Sequence, residues 1–249
     1  MPRSRDSQPP DLYSEEININ ASPKKRIHAA GFRRLVRRSI DSVFSKSLKD
    51  KMTLGTKAGA QWTLCVGKLN SNSIVYSGGV GGNISFEIEL VRRFGLAVVI
   101  FDPSPIALET IERHSSDPEM RRIEFNPVGL ASESKNLYFE PSKVPGEWQM
   151  AAGEGAGSRK IKCTTIAYEM EKRGHNKLDL LKLDIEGFEY QVLDQCLNNQ
   201  VNVGQVCVEF HDFLPGIGRK LTLQSILALR KHGFSVIHKQ RHDFTFLKV

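Results

Sequence analysis

The sequence predicts a mainly parallel, doubly wound α/β sheet with helices on both faces and one antiparallel strand at its C-terminal end. Three observations carry this. From Lys51 onward, short apolar runs alternate with segments of helical period, the order that βαβ units produce. The run Ala97 to Phe101 is apolar without a break, as expected of a parallel strand covered on both sides. The chain closes with strand, turn and strand and no helix between them, so its last strand must run against its neighbours.

The elements follow in order. Ile74-Val75-Tyr76 is a short strand, and Asn83 to Phe94 is a helix whose apolar face holds Ile84, Ile88, Leu90 and Val91. Ala97 to Phe101 is the next strand, Pro105 to His114 a second helix, Arg122 to Leu130 a third strand and Asn136 to Phe139 a further one. Leu178 to Leu183 reads as a strand, Phe188 to Leu197 as a helix, Gln205 to Phe210 as a strand and Leu221 to His232 as the last helix. Phe234 to His238 and Phe244 to Val249 form a terminal hairpin. The segment Pro141 to Lys160 is rich in Gly, Ala, Ser and Pro around Trp148. A loop of that length either covers a functional pocket or is an insertion, and the sequence weighs both equally.

Charge divides the chain into an arm (residues 1–50) and a main domain (51–249). Residues 1–50 carry 11 Lys or Arg against 6 Asp or Glu, while the remaining 199 residues carry 24 against 22. Residues 1–23 read as a poorly ordered arm. Lys24 to Arg38 holds seven basic residues and no acid, and Phe32, Leu35, Val36, Ile40, Val43 and Phe44 recur at helical spacing. The expectation is a basic amphipathic helix over roughly 31–46. It would cap the main domain; peripheral contact with an anionic membrane is the second role such a helix can play.

A nearly neutral main domain argues against a nucleic-acid partner, which would draw a basic stripe around the site. No apolar run approaches the roughly 20 residues of a membrane-spanning helix. Met1 to Pro10 lacks the apolar core of a signal peptide. Cys65, Cys163, Cys196 and Cys207 show neither metal-ligand spacing nor a Cys-x-x-Cys pair. They are expected to be buried, reduced thiols of a cytoplasmic protein.

Four groups of residues carry chemistry. The first is Ser77-Gly78-Gly79-Val80-Gly81-Gly82-Asn83, a glycine turn between a strand and a helix. Such a turn lets a ligand approach the backbone and presents helix N–H groups to it; tight β-α turns also use glycine for purely structural reasons. The second is Asp102, at the end of the strand roughly 20 residues on, the place of a carboxylate that accepts from ribose hydroxyls. Asp102 could instead cap the following helix, but Ser104 can serve as that cap and leave Asp102 free. Together these features fit either a dinucleotide or an adenosyl sulfonium. The Gly-x-Gly-x-x-Gly pattern of dinucleotide sites is incomplete here, and Glu87 in the first helix would repel a pyrophosphate.

The third group is Lys182-Leu183-Asp184-Ile185-Glu186-Gly187-Phe188-Glu189, an apolar strand that ends in acids. By strand order it should lie beside the glycine turn, at the crevice where α/β sheets bind ligands. The fourth is Glu209-Phe210-His211 at the end of the next strand. Asp184, Glu186, Glu209 and His211 could therefore converge to hold a cation, take a proton or bind a metal. Glu189 reads as a helix-cap or solvent group. His28, His114, His175, His232, His238 and His242 read as surface or packing residues.

These motifs resemble the FkbM-type methyltransferase family, which carries a glycine loop, a Lys-x-Asp-[Ile/Val]-Glu-Gly-x-Glu strand end and a later Glu-x-His. The resemblance spans about Ile74 to Val249. One departure is that many relatives have Asp at the head of the glycine loop where this chain has Ser77. The resemblance implies a Rossmann-like class I methyltransferase fold with a mainly parallel seven-stranded sheet, an antiparallel C-terminal strand and helices on both faces. It also implies S-adenosylmethionine as methyl donor and a hydroxyl of a small molecule or glycan as acceptor. Ser77, Gly78, Gly79, Gly81, Asn83, Asp102 and Asp184 are then expected to hold the donor. His211 would be the base that takes the hydroxyl proton, with Asp184 and Glu186 as its catalytic companions, and Glu209 or Asp184 would orient the imidazole or the acceptor. A divalent metal at Asp184, Glu186 and His211 is the less favoured arrangement. The alternatives to methyl transfer are an NAD(P)-dependent oxidoreductase and a non-catalytic nucleotide-binding scaffold. A nucleic-acid methyltransferase is disfavoured further: there is no Asn/Asp-Pro-Pro-aromatic strand end and no Pro-Cys nucleophile.

Overall fold

The computed structural model describes residues 50–56, 60–141, 148–150, 154, 155 and 157–249. The chain divides into two units, Met1–Ser42 and Val43–Val249. The expected arm and the expected helix over 31–46 lie outside the described residues.

Among the described residues, the second unit opens with a hairpin, β1 (Lys51–Leu54) and β2 (Trp62–Cys65). Then come β3 (Ile74–Gly78), α1 (Ser85–Phe94), β4 (Ala97–Phe101), α2 (Pro105–Arg113), a short 3-10 turn at Pro118–Arg122 and β5 (Ile123–Asn126). Four strands follow, β6 (Gly129–Leu130), β7 (Asn136–Pro141), β8 (Trp148–Met150) and β9 (Arg159–Thr164). The rest is α3 (Ile166–Arg173), β10 (Leu178–Leu183), α4 (Glu189–Asn198), β11 (Val203–Glu209), α5 (Gly218–Lys231), β12 (Phe234–Gln240) and β13 (Asp243–Lys248).

Seven strands build the central sheet in the order β12-β13-β11-β10-β3-β4-β5. Pairing is parallel from β11 through β5, and β13 runs antiparallel between β11 and β12. The chain's first central strand, β3, therefore sits mid-sheet against β10, where the strand order reverses and crevices open at the carboxyl ends. One face of the sheet packs Tyr76, Phe101, Leu181 and Val206 against Ile166 and Met170 of α3, Val192 and Leu193 of α4 and Ile226 and Leu229 of α5. The other packs Val75, Val98, Ile100 and Leu180 against Phe86, Leu90 and Val91 of α1, Ala107 of α2 and the β1–β2 hairpin.

The hairpin is fastened by polar groups as well as by burial. The buried Gln205 amide accepts from the Cys65 N–H at 2.9 Å and donates to the Cys65 carbonyl at 2.8 Å, mimicking a rung of backbone pairing. The Thr245 hydroxyl donates to the Thr63 carbonyl at 2.6 Å. These bonds hold Trp62, which is 3% exposed, against the sheet near the end of β10.

Three expectations need correction. Arg122 to Leu130 is not one strand: Asn126-Pro127 breaks it, because proline offers no N–H to a ladder, and Gly129–Leu130 joins a second sheet of order β6-β9-β7-β8. The segment Pro141 to Lys160 is not wholly loop, since it holds β8 and the start of β9. The hairpin β1–β2 and the helix α3 were not anticipated; α3 is marked by a Thr165 side-chain cap on the Tyr168 N–H and by Gly174 in the left-handed conformation at its end. All four cysteines are free and buried. Burial pushes the thiols up, to about 11 at Cys163 and about 12 at Cys196 and Cys207. No helix among the described residues is long and apolar enough to cross a membrane.

Candidate active site

The glycine turn is locked between the ends of β4 and β10. Gly79 N–H donates to the Phe101 carbonyl at 2.9 Å and Asp184 N–H to the Gly78 carbonyl at 3.0 Å. Gly79 has φ of 74°, and a Cβ there would lie 1.7 Å from the Asp184 carbonyl oxygen, so neither its conformation nor its surroundings admit another residue. Gly81, by contrast, faces open space: a Cβ there would meet nothing within 4 Å. Lys182, buried at 3% exposure, donates its ammonium to the Gly79 carbonyl, lies 3.6 Å from an Asp184 oxygen and stands 5.6 Å from the Trp62 ring centre.

Two adjoining cavities flank the turn. One, of about 190 Å³, is lined by Gly79 to Gly81, Asp102, Phe139 and Phe188 together with Asp184 and Glu186. The other, of about 300 Å³, is lined by Trp62, Asn83, Phe86, Glu87, Lys182 and Asp184. The first has aromatic walls and three carboxylates; the second is a polar chamber with a cation and two acids. Ser77 lines neither. It is fully buried, and its hydroxyl donates to Glu87 Oε1 at 2.6 Å. Gly78 lines neither as well; a Cβ there would meet Leu130 at 2.7 Å, so it serves close packing. The Asn83 side chain accepts from the Ser85 N–H at 2.9 Å and donates to Thr56 at 3.0 Å, tying the helix start to the loop after β1.

Asp102 is not free. Its Oδ2 accepts from Val80 N–H and Gly81 N–H, both at 2.8 Å, and its Oδ1 accepts from Ser104 N–H at 2.8 Å. Ser104 does cap α2, through the Ala107 N–H. Asp102 therefore shapes the glycine turn from the cavity wall, and with three of about four acceptor positions filled it can take one further donor.

The acids and the imidazole converge. Glu186 has φ of 52°, and Gly187 follows at 96°, a left-handed pair that turns the chain sharply at the end of β10. His211 is 3% exposed, and its Nε2 lies 3.8 Å from Asp184 Oδ1 and 3.5 Å from Glu186 Oε2. Its other nitrogen, Nδ1, is 3.3 Å from Glu189 Oε1, which also accepts from the His211 backbone N–H at 2.8 Å. Glu189 is fully buried, and its second oxygen accepts from the Gly187 N–H at 2.9 Å. Glu189, read from the sequence as a cap or solvent group, is thus the group that orients the imidazole; neither Glu209 nor Asp184 holds Nδ1.

Electrostatics follow from this crowding. Burial lowers the His211 pKa, but the hydrogen bond and charge of Glu189 outweigh it, with Glu186 and Asp184 adding to the rise, and the group is pushed up to about 9. Glu209 is held up at about 7 by burial and by the Asp184 carboxylate, and Asp243 at about 6 by the same two causes. With the protein's charges alone, His211 is an imidazolium at neutral pH. Ligand atoms of Asp184, Glu186 and His211 fall within 4.8 Å of one another, a spacing also compatible with a divalent cation. A proton on Nε2 would compete directly with such an ion.

The model of the family described as "Methyltransferase FkbM domain" matches residues 58–236. No curated protein matches the chain. Among solved structures, the chain is similar to a methyltransferase FkbM from Methylobacillus flagellatus KT, with 14% identity and a TM-score of 0.47 over 72% of this chain and 44% of that one. It thus spans less than half the length of that protein. It is also similar to an rRNA methylase from Streptococcus thermophilus, with 14% identity and a TM-score of 0.44 over 73% of this chain and 89% of that one. A third similarity is to TYW2 of M. jannaschii in complex with AdoMet, with 11% identity and a TM-score of 0.35 over 80% of this chain and 87% of that one.

Proposed function

The chain belongs to the FkbM methyltransferase family, and from that premise we propose that it moves a methyl group from S-adenosylmethionine to a hydroxyl of a small molecule or glycan. Its sheet, with one reversed strand beside the C-terminal end of a parallel array, is the Rossmann-like arrangement of class I methyltransferases.

The observation that carries the reading is the buried His211, gripped by Glu189 on Nδ1, with Nε2 beside Asp184 and Glu186, the two acids that line the first cavity. An alcohol is a weak nucleophile and must give up its proton as it attacks. The donor, when bound, supplies an electrophilic methyl on a positively charged sulfur. As the acceptor oxygen took that methyl and the C–S electron pair left with sulfur, Nε2 of His211 would take the hydroxyl proton, with Glu189 holding the imidazole in place. A base has to be neutral before it can do this. A cation beside Asp184 and Glu186 would lower the His211 pKa from its raised value toward neutrality, by the same Coulomb effect that raised it.

Three features support the donor. The glycine turn opens onto both cavities. Asp102 retains one acceptor position for a ribose hydroxyl beside the aromatic walls of Phe139 and Phe188. The acidic cluster around His211 suits a sulfonium better than a pyrophosphate, which weighs against the dinucleotide alternative. For the acceptor, Phe213 is 57% exposed with its ring 5.4 Å from that of His211 and 4.9 Å from that of His242. A flat apolar face beside the base suits a ring-shaped acceptor such as a sugar. The four buried free thiols fit a reducing compartment such as the cytoplasm.

The test is methyl transfer from labelled donor to a panel of glycans, small alcohols and RNA. Transfer to a hydroxyl compound, together with a loss of about 10²- to 10⁴-fold in kcat for His211→Ala with S-adenosylhomocysteine still bound, is expected. Near-normal turnover in that variant would remove His211 as the base. Methylation of RNA alone would replace the acceptor. A thermal shift with NAD rather than S-adenosylhomocysteine would replace the donor, and donor binding with no turnover on any acceptor would favour a scaffold.

A further inference from the structure

Among the described residues that line the two cavities, Glu87 has a fully buried carboxylate oxygen without a hydrogen-bond partner. It stands in the first turn of α1, is 1% exposed and lines the second cavity together with Lys182 and Asp184. Its Oε1 accepts from the Ser77 hydroxyl at 2.6 Å. Its Oε2 is buried and has no hydrogen-bond partner among the described residues. An unmatched carboxylate oxygen in the interior is costly, and burial holds the Glu87 carboxyl above its ordinary value. Such a group persists where a ligand completes it.

The chamber around it indicates what that ligand carries. Lys182 presents an ammonium and Asp184 a second carboxylate in the same 300 Å³ space, with Trp62 and Phe86 as walls. A zwitterion matches this set: its ammonium donates to Glu87 and Asp184, and its carboxylate meets Lys182. An α-amino acid end is the smallest such group. Ser77, at the head of the glycine loop, bears no charge and lines neither cavity. It can steer Glu87, because its hydroxyl occupies Oε1 and leaves Oε2 as the oxygen without a partner.

We propose that Glu87 is a donor-binding residue that receives the α-ammonium of the methionine end of S-adenosylmethionine, with the Ser77 hydroxyl as its positioning partner. This rests on the donor reading above. The selectivity it implies is for ligands with a free amino group: the adenosine half binds without Glu87, and the amino-acid half does not.

Equilibrium binding by the full chain tests this with three probes: S-adenosylhomocysteine, its deaminated analogue, and 5′-methylthioadenosine, which lacks the amino-acid end. Glu87→Gln keeps the shape and the Ser77 bond but removes the charge. It is expected to weaken S-adenosylhomocysteine by about 10-fold or more, the loss of one charge-assisted hydrogen bond. The other two probes should stay within about 2-fold of the unaltered protein, which bounds their loss well below that of one such bond. Equal losses for all three would mean a structural role and overturn the proposal, as would no loss for any. If the variant does not fold, the unaltered protein decides: it should prefer S-adenosylhomocysteine over the deaminated analogue by about 10-fold or more, and equal affinity overturns the proposal. An unaltered chain that binds none of the three refutes the donor reading itself, whereas tight S-adenosylhomocysteine binding unaffected by Glu87→Gln refutes only the role of Glu87.

Discussion

Glu189 holds His211 at two points, accepting from its backbone N–H at 2.8 Å and facing its Nδ1 at 3.3 Å with the same oxygen. A single carboxylate oxygen thus fixes both where the residue sits and which ring nitrogen faces Asp184 and Glu186. Glu189→Gln keeps the volume but loses the charge and one acceptor. Its expected effect is a fall in kcat of about 100-fold with the donor constant nearly unchanged. Steady-state kinetics with S-adenosylhomocysteine titration reads both, and a matching loss of donor affinity would show that Glu189 supports the turn rather than the base.

Stability should fall as pH rises through the neutral range. His211 titrates near 9 in the folded chain against an ordinary 6.5, so its contribution is complete below about 6.5 and lost as pH passes about 9. Glu209 near 7 and Asp243 near 6 are also raised from their ordinary values of 4.5 and 3.8, so the folded state again holds the extra proton. Melting curves from pH 5 to 10 should show this decline, and His211→Gln should flatten the part between about 6.5 and 9. An unchanged slope in the variant would mean that another group titrates there.

The two glycines of the turn should behave differently. Gly79→Ala places a methyl 1.7 Å from the Asp184 carbonyl oxygen and should cost about 3 kcal/mol or more, with donor binding lost. Gly81→Ala meets no atom within 4 Å and bears only the left-handed backbone cost of about 1–2 kcal/mol. Denaturant titration of both variants separates them; equal losses would mean that the close approach at Gly79 is not what the fold depends on.

Chelator treatment should leave methyl transfer unchanged. Asp184, Glu186 and His211 are close enough to share a cation, but in the proposed reaction the positive charge beside the two carboxylates is the donor's sulfonium, which leaves His211 neutral. Activity abolished by a chelator and restored by Mg²⁺ or Mn²⁺ would reassign all three as ligands.

Where the sequence was legible, one physical signal dominated. Ala97–Phe101 and Leu178–Leu183 were read to the residue, since strands buried on both faces leave little room for polar residues. The helix α3 escaped because Glu169, 4% exposed, occupies its inward face, bonded to Thr164 and paired with Arg173; a buried acid looks like an exposed one in a hydrophobic pattern. The β1–β2 hairpin escaped because three of the four residues of β1 are exposed.

The site divides in the same way. The motifs placed Asp184, Glu186 and His211 at neighbouring strand ends, and the structure clusters them within 4.8 Å of one another. What the sequence could not supply were partnerships across the chain. Glu189 meets a histidine 22 residues away, and Asp102 bonds amides 21 and 22 residues before it. Glu87 was noted for its charge, but only the packed structure leaves one of its oxygens without a partner.

The amide of Gln205 that pins Cys65 has a consequence in time. The two residues are 140 positions apart, so on a growing chain the hairpin bearing Trp62 is made long before its anchor. Until β11 has emerged and paired, Trp62 has no fixed wall to belong to, and the chamber shared by Trp62, Glu87 and Lys182 does not exist. A nascent chain stalled short of Gln205 would contain the whole glycine turn and the Asp184, Glu186 and Glu189 carboxylates, and still lack that chamber.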